Sequence, residues 1–150
     1  MERTLILAKP DAVQRGLVGE LIGRFERRGL QIAGLKMMLV SSDLAHEHYK
    51  EHAAKPFFQS LVDYITSCPI VAMVLQGPNA IEIVRTTIGA TDPALAPPGS
   101  IRGDLGISIG RNLVHGSDSA ASAQREVKLF FRDDELQQYP RSADQWILEQ

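Results

Sequence analysis

Ile70-Val71-Ala72-Met73-Val74-Leu75 is an unbroken apolar run of strand length. The turn signal Gly77-Pro78-Asn79 follows it and leads into a helical stretch, Ala80–Ile88. Upstream, Pro56 opens another helical stretch, Phe57–Ser67, carrying Phe57, Phe58, Leu61, Val62 and Ile65. Before that, Ser41-Ser42-Asp43 offers N-caps for a helix running to about His52. Gln31–Val40 reads as a strand, with Ile32, Leu35, Met37 and Leu39 prominent. Leu17–Arg28 has apolar residues at helical spacing and Gly29 as its stop. Thr4–Ala8 is a short apolar run, read as a buried strand that ends in a turn at Lys9-Pro10. Downstream, Gly89–Ser100 carries Pro93, Pro97, Pro98 and Gly99 and no periodicity, the composition of a functional loop. Ile101–Gly106 reads as a short turn of helix, and Leu113-Val114 as part of a final strand. Ser119–Phe131 reads as a helix capped by Ser117, Asp118 or Ser119. The tail, Arg132–Gln150, is polar, with Tyr139, Trp146, Ile147 and Leu148 available to dock. This βαββαβ order predicts an α+β, ferredoxin-like sandwich: a four-stranded antiparallel sheet covered by helices. A doubly wound parallel sheet is the runner-up.

The chain has 150 residues, enough for one domain, 1–150, with one core. Hydrophobic content of 44% and charged content of 23% are ordinary for a globular protein. A net charge of −2 and no basic tract argue against nucleic acid as the main partner and against an anionic membrane. The longest apolar run falls far short of the roughly 20 residues a bilayer span needs. Cys68 is the one cysteine, so no intrachain disulfide and no cysteine-based metal site is possible. Met1-Glu2-Arg3-Thr4 lacks the start of a signal peptide. A reducing, cytoplasmic location is the expectation.

Chemistry concentrates in Gly110-Arg111-Asn112-Leu113-Val114-His115-Gly116-Ser117-Asp118. Neutral imidazole is a nucleophile near pH 7, and a glycine beside it leaves room for a bulky reactant. Asn112 and Arg111 suit an oxygen-rich substrate. No phosphate-cradling P-loop, no Gly-x-Gly-x-x-Gly and no His-Glu-x-x-His is present. Phosphate would then be held by side chains, and Lys9, Arg85, Arg102 and Arg111 lie at strand ends and loop edges. His46 and His48 read as a solvated helix face; His52 is less settled, because it precedes Lys55-Pro56-Phe57-Phe58.

These residues fall into five motifs: Lys9-Pro10-Asp11-Ala12; Tyr49 with Lys55-Pro56-Phe57-Phe58; Gly89-Ala90-Thr91-Asp92-Pro93; Gly99-Ser100-Ile101-Arg102-Gly103-Asp104; and Arg111-Asn112 with His115-Gly116-Ser117-Asp118. In that order they resemble the nucleoside diphosphate kinase family over nearly the whole chain. The resemblance implies transfer of the γ-phosphate of a nucleoside triphosphate to a nucleoside diphosphate, with ping-pong kinetics. His115 would be the nucleophile, phosphorylated on Nδ1. Lys9 would contact the γ-phosphate and sugar. Arg85, Thr91 and Arg102 would hold phosphates, and Asn112 the ribose 3′-hydroxyl. Phe57 would stack on the base, with Leu61 in the same nucleotide-binding set. Tyr49 would lie beside the reacting phosphate. Ser117 and Glu126 would orient His115. Mg2+ would be carried mainly by the nucleotide phosphates, with no protein carboxylate cage. Self-association is implied too, a homohexamer first and a tetramer or dimer otherwise, with Gly89–Ser100 packed between subunits. A non-catalytic nucleotide-binding regulator on the same fold is the alternative. Such a protein should have lost His115 or a phosphate-holding arginine, and none is lost.

Overall fold

β1 (Glu2–Ala8) and β3 (Ile70–Gly77) are apolar along their length because the sheet is covered on both faces. Side chains alternate across a strand, so each run divides between two cores. Leu5, Leu7, Ile70, Ala72 and Val74 face one. Ile6, Ala8, Val71, Met73 and Leu75 face the other. The computed structural model describes residues 1–149 and sets the strands in the order β2-β3-β1-β4, with β2 at Gln31–Met38 and β4 at Val114–Gly116. Every neighbouring pair is antiparallel. The sandwich expected from the element order is therefore the one observed, and the parallel alternative is excluded.

Helices α1 (Pro10–Gln14) and α2 (Val18–Arg27) follow β1. Helices α3 (Ser42–His48) and α4 (Phe58–Ile65) lie between β2 and β3. Helix α5 (Ala80–Ile88) follows β3, the short α6 (Ile101–Leu105) precedes β4, and α7 (Ala120–Phe130) follows it. Leu21 and Phe25 of α2 and Val84 and Ile88 of α5 close the first core. Ala45 of α3, Val62 and Ile65 of α4, and Val127 and Phe130 of α7 close the second. Each of the larger side chains contributes about 1.5–3 kcal/mol by leaving water.

β4 has only three pairs with β1, yet they decide which way His115 points. Val114 pairs with Ala8, His115 with Leu7 and Gly116 with Ile6. Val114 joins the first core. A Cβ at Gly116 would lie 2.8 Å from Ile88 Cδ1, on the same side. His115 therefore emerges on the opposite face, under α3 and α7.

The structure corrects four local expectations. Lys9-Pro10 is not a turn: Pro10 starts α1, where its fixed φ and missing N–H suit the first helical position. The helix after Ser41 stops at His48 and gives way to a 3-10 turn, Lys50–His52. His48 is not solvated. It falls three residues after buried Ala45 on the inner face of α3 and is itself buried. Trp146, in the one-turn helix α8 (Asp144–Ile147), does not dock and stays 83% exposed, because Ile147 is the residue that lies over Gly29.

Other parts of the tail are anchored to β2. Gln137 N–H donates to the Ala33 carbonyl at 2.7 Å, and the Tyr139 hydroxyl to the Ile32 carbonyl at 2.6 Å. This covers the first half of an edge strand at a bulge between Ile32 and Gly34. Leu35 and Met37, farther along, remain exposed.

Gly89–Ser100 is irregular but not loose. Asp92 caps a 3-10 turn, Pro93–Leu95. Ser100 Oγ donates to the Pro97 carbonyl at 2.6 Å and accepts the Gly103 N–H at 3.0 Å. The chain passes so close here that a Cβ at Gly103 would lie 2.0 Å from the Pro97 carbonyl oxygen. Gly103→Ala should cost about 1–3 kcal/mol through overpacking, and each kcal/mol is about 2–4 °C in melting temperature at this size. A Cβ at Gly19, inside α2, meets nothing within 4 Å. Gly19→Ala should raise the melting temperature instead, by relieving about 0.5–1 kcal/mol of helix penalty. Thermal melts of the two variants check both signs, and a Gly103→Ala protein as stable as the parent would contradict this packing.

Candidate active site

The approach to β4 is strained. Leu113 has φ +75° and is fully buried, a backbone conformation rare outside glycine. Across it the Val114 N–H donates to the Asn112 carbonyl at 2.9 Å, closing a γ-turn. The turn aims Asn112 one way and starts β4 the other. Asn112 Oδ1 accepts from Lys9 Nζ, and its Nδ2 donates to the Thr91 carbonyl at 2.9 Å. Arg102, buried in α6, holds the same segment from below. Its guanidinium donates to the carbonyls of Asn112 (3.1 Å), Val114 (2.6 Å) and Gly89 (3.2 Å).

On the other face, His115 Nε2 lies 2.9 Å from Glu126 Oε1, on the inner side of α7. Ser117 Oγ donates to the same carboxylate oxygen at 2.6 Å. Burial alone would raise the Glu126 carboxyl, but the hydrogen bonds from His115 and Ser117 and the charge of His115 hold it down at about 2. An ionised carboxylate can only accept, so the proton of neutral His115 sits on Nε2. The lone pair is then on Nδ1. His48 packs edge-on against His115, with ring centroids 4.9 Å apart. Desolvation and the nearby His115 push the His48 imidazole down to about 3, so this neighbour is neutral.

His115 and Glu126 open onto a cavity of about 440 Å³. Lys9, Arg85, Thr91, Arg102 and Asn112 line it, as do Tyr49, Phe57 and Leu61. The structure thus gathers at one site ten of the eleven residues singled out from the sequence. The eleventh, Ser117, is fully buried behind Glu126. Phe57 is half exposed, with the Lys55 ammonium over its ring at 5.5 Å, while Phe58 packs against the second core.

Burial pushes the Lys9 ammonium down to about 8; Asp11 opposes this, and Arg102 and Arg111 reinforce it. Arg102 is lowered to about 10 by burial and by Arg85, and remains charged. Burial raises the Tyr49 hydroxyl to about 12, keeping it protonated. Arg111 is the candidate cation that does not line the cavity: its guanidinium lies over the Tyr64 ring, 4.1 Å from the centroid. Sequence reasoning missed Glu51, Ser122 and Arg125 in the lining. Arg125 donates to the carbonyls of Glu47 and His48 and so joins α7 to the end of α3. Its place beside Glu126 was the one signal for it.

Among the described residues no cluster of three or more His, Cys, Asp or Glu is placed to hold a metal ion. No helix among the described residues is long and apolar enough to cross a membrane.

Comparison with known proteins fits this geometry. The nucleoside diphosphate kinase family model matches residues 2–136. The nucleoside diphosphate kinase of Archaeoglobus fulgidus is 58% identical over 150 residues, which is 100% of this chain and 99% of that protein. That of Pelotomaculum thermopropionicum is 60% identical over 149 residues, 99% of this chain and 100% of the relative. The structure of a halophilic nucleoside diphosphate kinase from Halobacterium salinarum in complex with CDP superposes with a TM-score of 0.97 at 51% identity, covering 99% of each chain. A nucleotide-sized cavity lined by cations beside an oriented imidazole, matched along the full length of the chain, leaves no role for the non-catalytic alternative: the chain belongs to the nucleoside diphosphate kinase family and is a phosphotransferase of that kind.

Proposed function

We propose that the chain, acting as a single domain, transfers the γ-phosphate in two half-reactions through a phosphohistidine at His115. The observation that carries this reading is the Glu126 carboxylate on Nε2 of His115. It leaves the Nδ1 lone pair as the nucleophile. In the first half-reaction Nδ1 attacks the γ-phosphorus. The N–P bond forms, the bond to the β–γ bridging oxygen breaks, and the nucleoside diphosphate leaves with that electron pair. In the second, a terminal β-phosphate oxygen of another nucleoside diphosphate attacks phosphorus, and the N–P electrons return to Nδ1.

Such transfer is mostly positioning and neutralisation of charge. Lys9 would meet the γ-phosphate, with Arg85, Arg102 and Thr91 on the other phosphates and Tyr49 beside the reacting one. Asn112 would take the ribose 3′-hydroxyl. Ser117 would steady Glu126. Mg2+ would arrive on the nucleotide phosphates; a lining rich in cations, with single carboxylates such as Glu51 and Asp118, suits a metal held chiefly by its substrate. The Halobacterium salinarum protein was solved with CDP, a member of the acceptor class. Self-association is part of the proposal. Leu35 and Met37 on the β2 edge, and Leu95 and Ile107 near the proline-rich loop, are large apolar side chains left exposed in the single chain. The cytoplasm suits a chain whose one cysteine is free.

With ATP and magnesium, mass spectrometry should find phosphate on His115. His115→Ala should abolish the phosphoenzyme and cut turnover by several orders of magnitude, as nucleophile removal does elsewhere, while nucleotide still binds. Double-reciprocal plots should be parallel. Label on His52 or on a serine, or converging lines, would overturn the mechanism.

Lys9 predicts a pH limb. The charged form binds phosphate, so binding is intact below its lowered value and lost as pH rises through about 8. A bound phosphate raises that value again. The fall should therefore appear in kcat/KM, which reports the free enzyme, and only at higher pH in kcat. A flat kcat/KM well beyond pH 8 would remove Lys9 from this role.

Phe57 predicts base tolerance. Stacking uses the π-face common to all bases and is worth about 1–3 kcal/mol. Phe57→Ala should raise KM for purine and pyrimidine nucleotides by similar factors and leave the chemistry largely intact. Loss confined to purines would mean that the base edge is read.

A further inference from the structure

Asp11 takes no part in the transfer above beyond its charge near Lys9, from which it lies two residues away in the first turn of α1. Its Oδ2 accepts the Leu113 N–H at 2.9 Å. The Lys9 N–H donates to the Leu113 carbonyl at 2.9 Å. Residues 9 and 11 thus grip both peptide groups that flank the strained Leu113. Asp11 is itself fixed: its N–H donates to the Tyr64 hydroxyl at 2.9 Å, and the Arg111 guanidinium lies over that ring. The Tyr64 hydroxyl also bears on the Asp11 carboxylate, whose Oδ1 is buried. Left-handed leucine persists only where its surroundings over-determine it. A strained backbone held by this hydrogen bond beside the reacting residues points to a functional constraint.

We propose that Asp11 is a positioning residue: its carboxylate clamps the Leu113 γ-turn, and the turn holds Asn112 and His115 in register with Lys9 for phosphoryl transfer. The proposal rests on His115 being the nucleophile. Asn112, bonded to Lys9, directly precedes Leu113, and His115 lies two residues after it. Release of the Leu113 N–H lets φ relax toward ordinary values, which rotates the start of β4 against β1 and moves the imidazole relative to Lys9. Misplacement on the scale of 1 Å costs about 100-fold in such reactions.

Rapid-quench labelling with the magnesium complex of γ-radiolabelled ATP separates this role from a structural one. The amplitude counts competent sites, and the rate constant reports their alignment. Asp11→Ala should slow phosphoenzyme formation about 10- to 100-fold at each competent site. Asp11→Asn keeps an acceptor oxygen of the same reach without the charge, and should label within a few fold of the parent. If Asp11→Ala does not fold, Asp11→Glu replaces it: the charge is kept, the oxygen is displaced, and labelling should again be slow. A parental rate constant in Asp11→Ala, even at reduced amplitude, would reduce Asp11 to a structural residue. An Asp11→Asn protein as slow as Asp11→Ala, or slower than Asp11→Glu, would assign its effect to charge and overturn the clamp. Absence of label on His115 in the parent would instead strike the phosphohistidine reading itself.

Discussion

Three residue pairs between β1 and β4 decide which face of the sheet His115 takes. Strand side chains alternate, so a shift of one position in that register would send His115 into the core of α2 and α5 and carry Val114 out to Glu126. Nothing in a three-residue strand fixes register by itself. It is fixed from outside: Gly116 admits Ile88 and Val84 where any side chain would collide, Ser117 N–H bonds to the Leu5 carbonyl at 3.1 Å, and the Leu113 turn closes the other end. The sheet supplies the rigid body, and these few contacts index the site on it.

The electrostatics of the cavity follow from where those elements end. Lys9 directly follows β1, Arg85 lies in the last turn of α5, and Arg102 sits in a short helix before β4, so three cations converge on one cavity. Partial burial, and after it the repulsion of neighbouring cations, lowers the Lys9 and Arg102 values. Arg102 is held by three backbone carbonyls rather than by a carboxylate, which fixes its position without cancelling its charge. An arrangement of uncancelled positive charge is matched to a polyanion.

The central strands were readable because two-sided burial writes continuous apolar runs, as in Ile70–Leu75. The candidate site was legible in residue type, from Lys9 after an apolar run to His115 beside Gly116, although the turn read at Lys9-Pro10 is the start of α1. What escaped was decided by tertiary contact. Nothing local distinguishes buried His48 from exposed His46; only the packing of α3 against α7 does. Arg111 has the sequence neighbourhood of a phosphate ligand, yet Tyr64, far away in the chain, provides the ring on which it lies. Pro10 looks the same opening a helix as it does making a turn.

The tail's grip on β2 has a consequence for biosynthesis. The bond from Tyr139 to Ile32 joins positions 107 residues apart, and Gln137 reaches Ala33 over nearly as long a span. On a ribosome delivering the chain from its N-terminus, Ile32 of β2 is made 107 residues before Tyr139 arrives to cover it. Through that interval the edge strand has open N–H and C=O groups flanked by Leu35 and Met37, the template on which nascent chains pair with one another. Gln137 and Tyr139 therefore act as a closing stitch, and a chain stalled shortly before Gln137 would leave the ribosome with that edge uncovered.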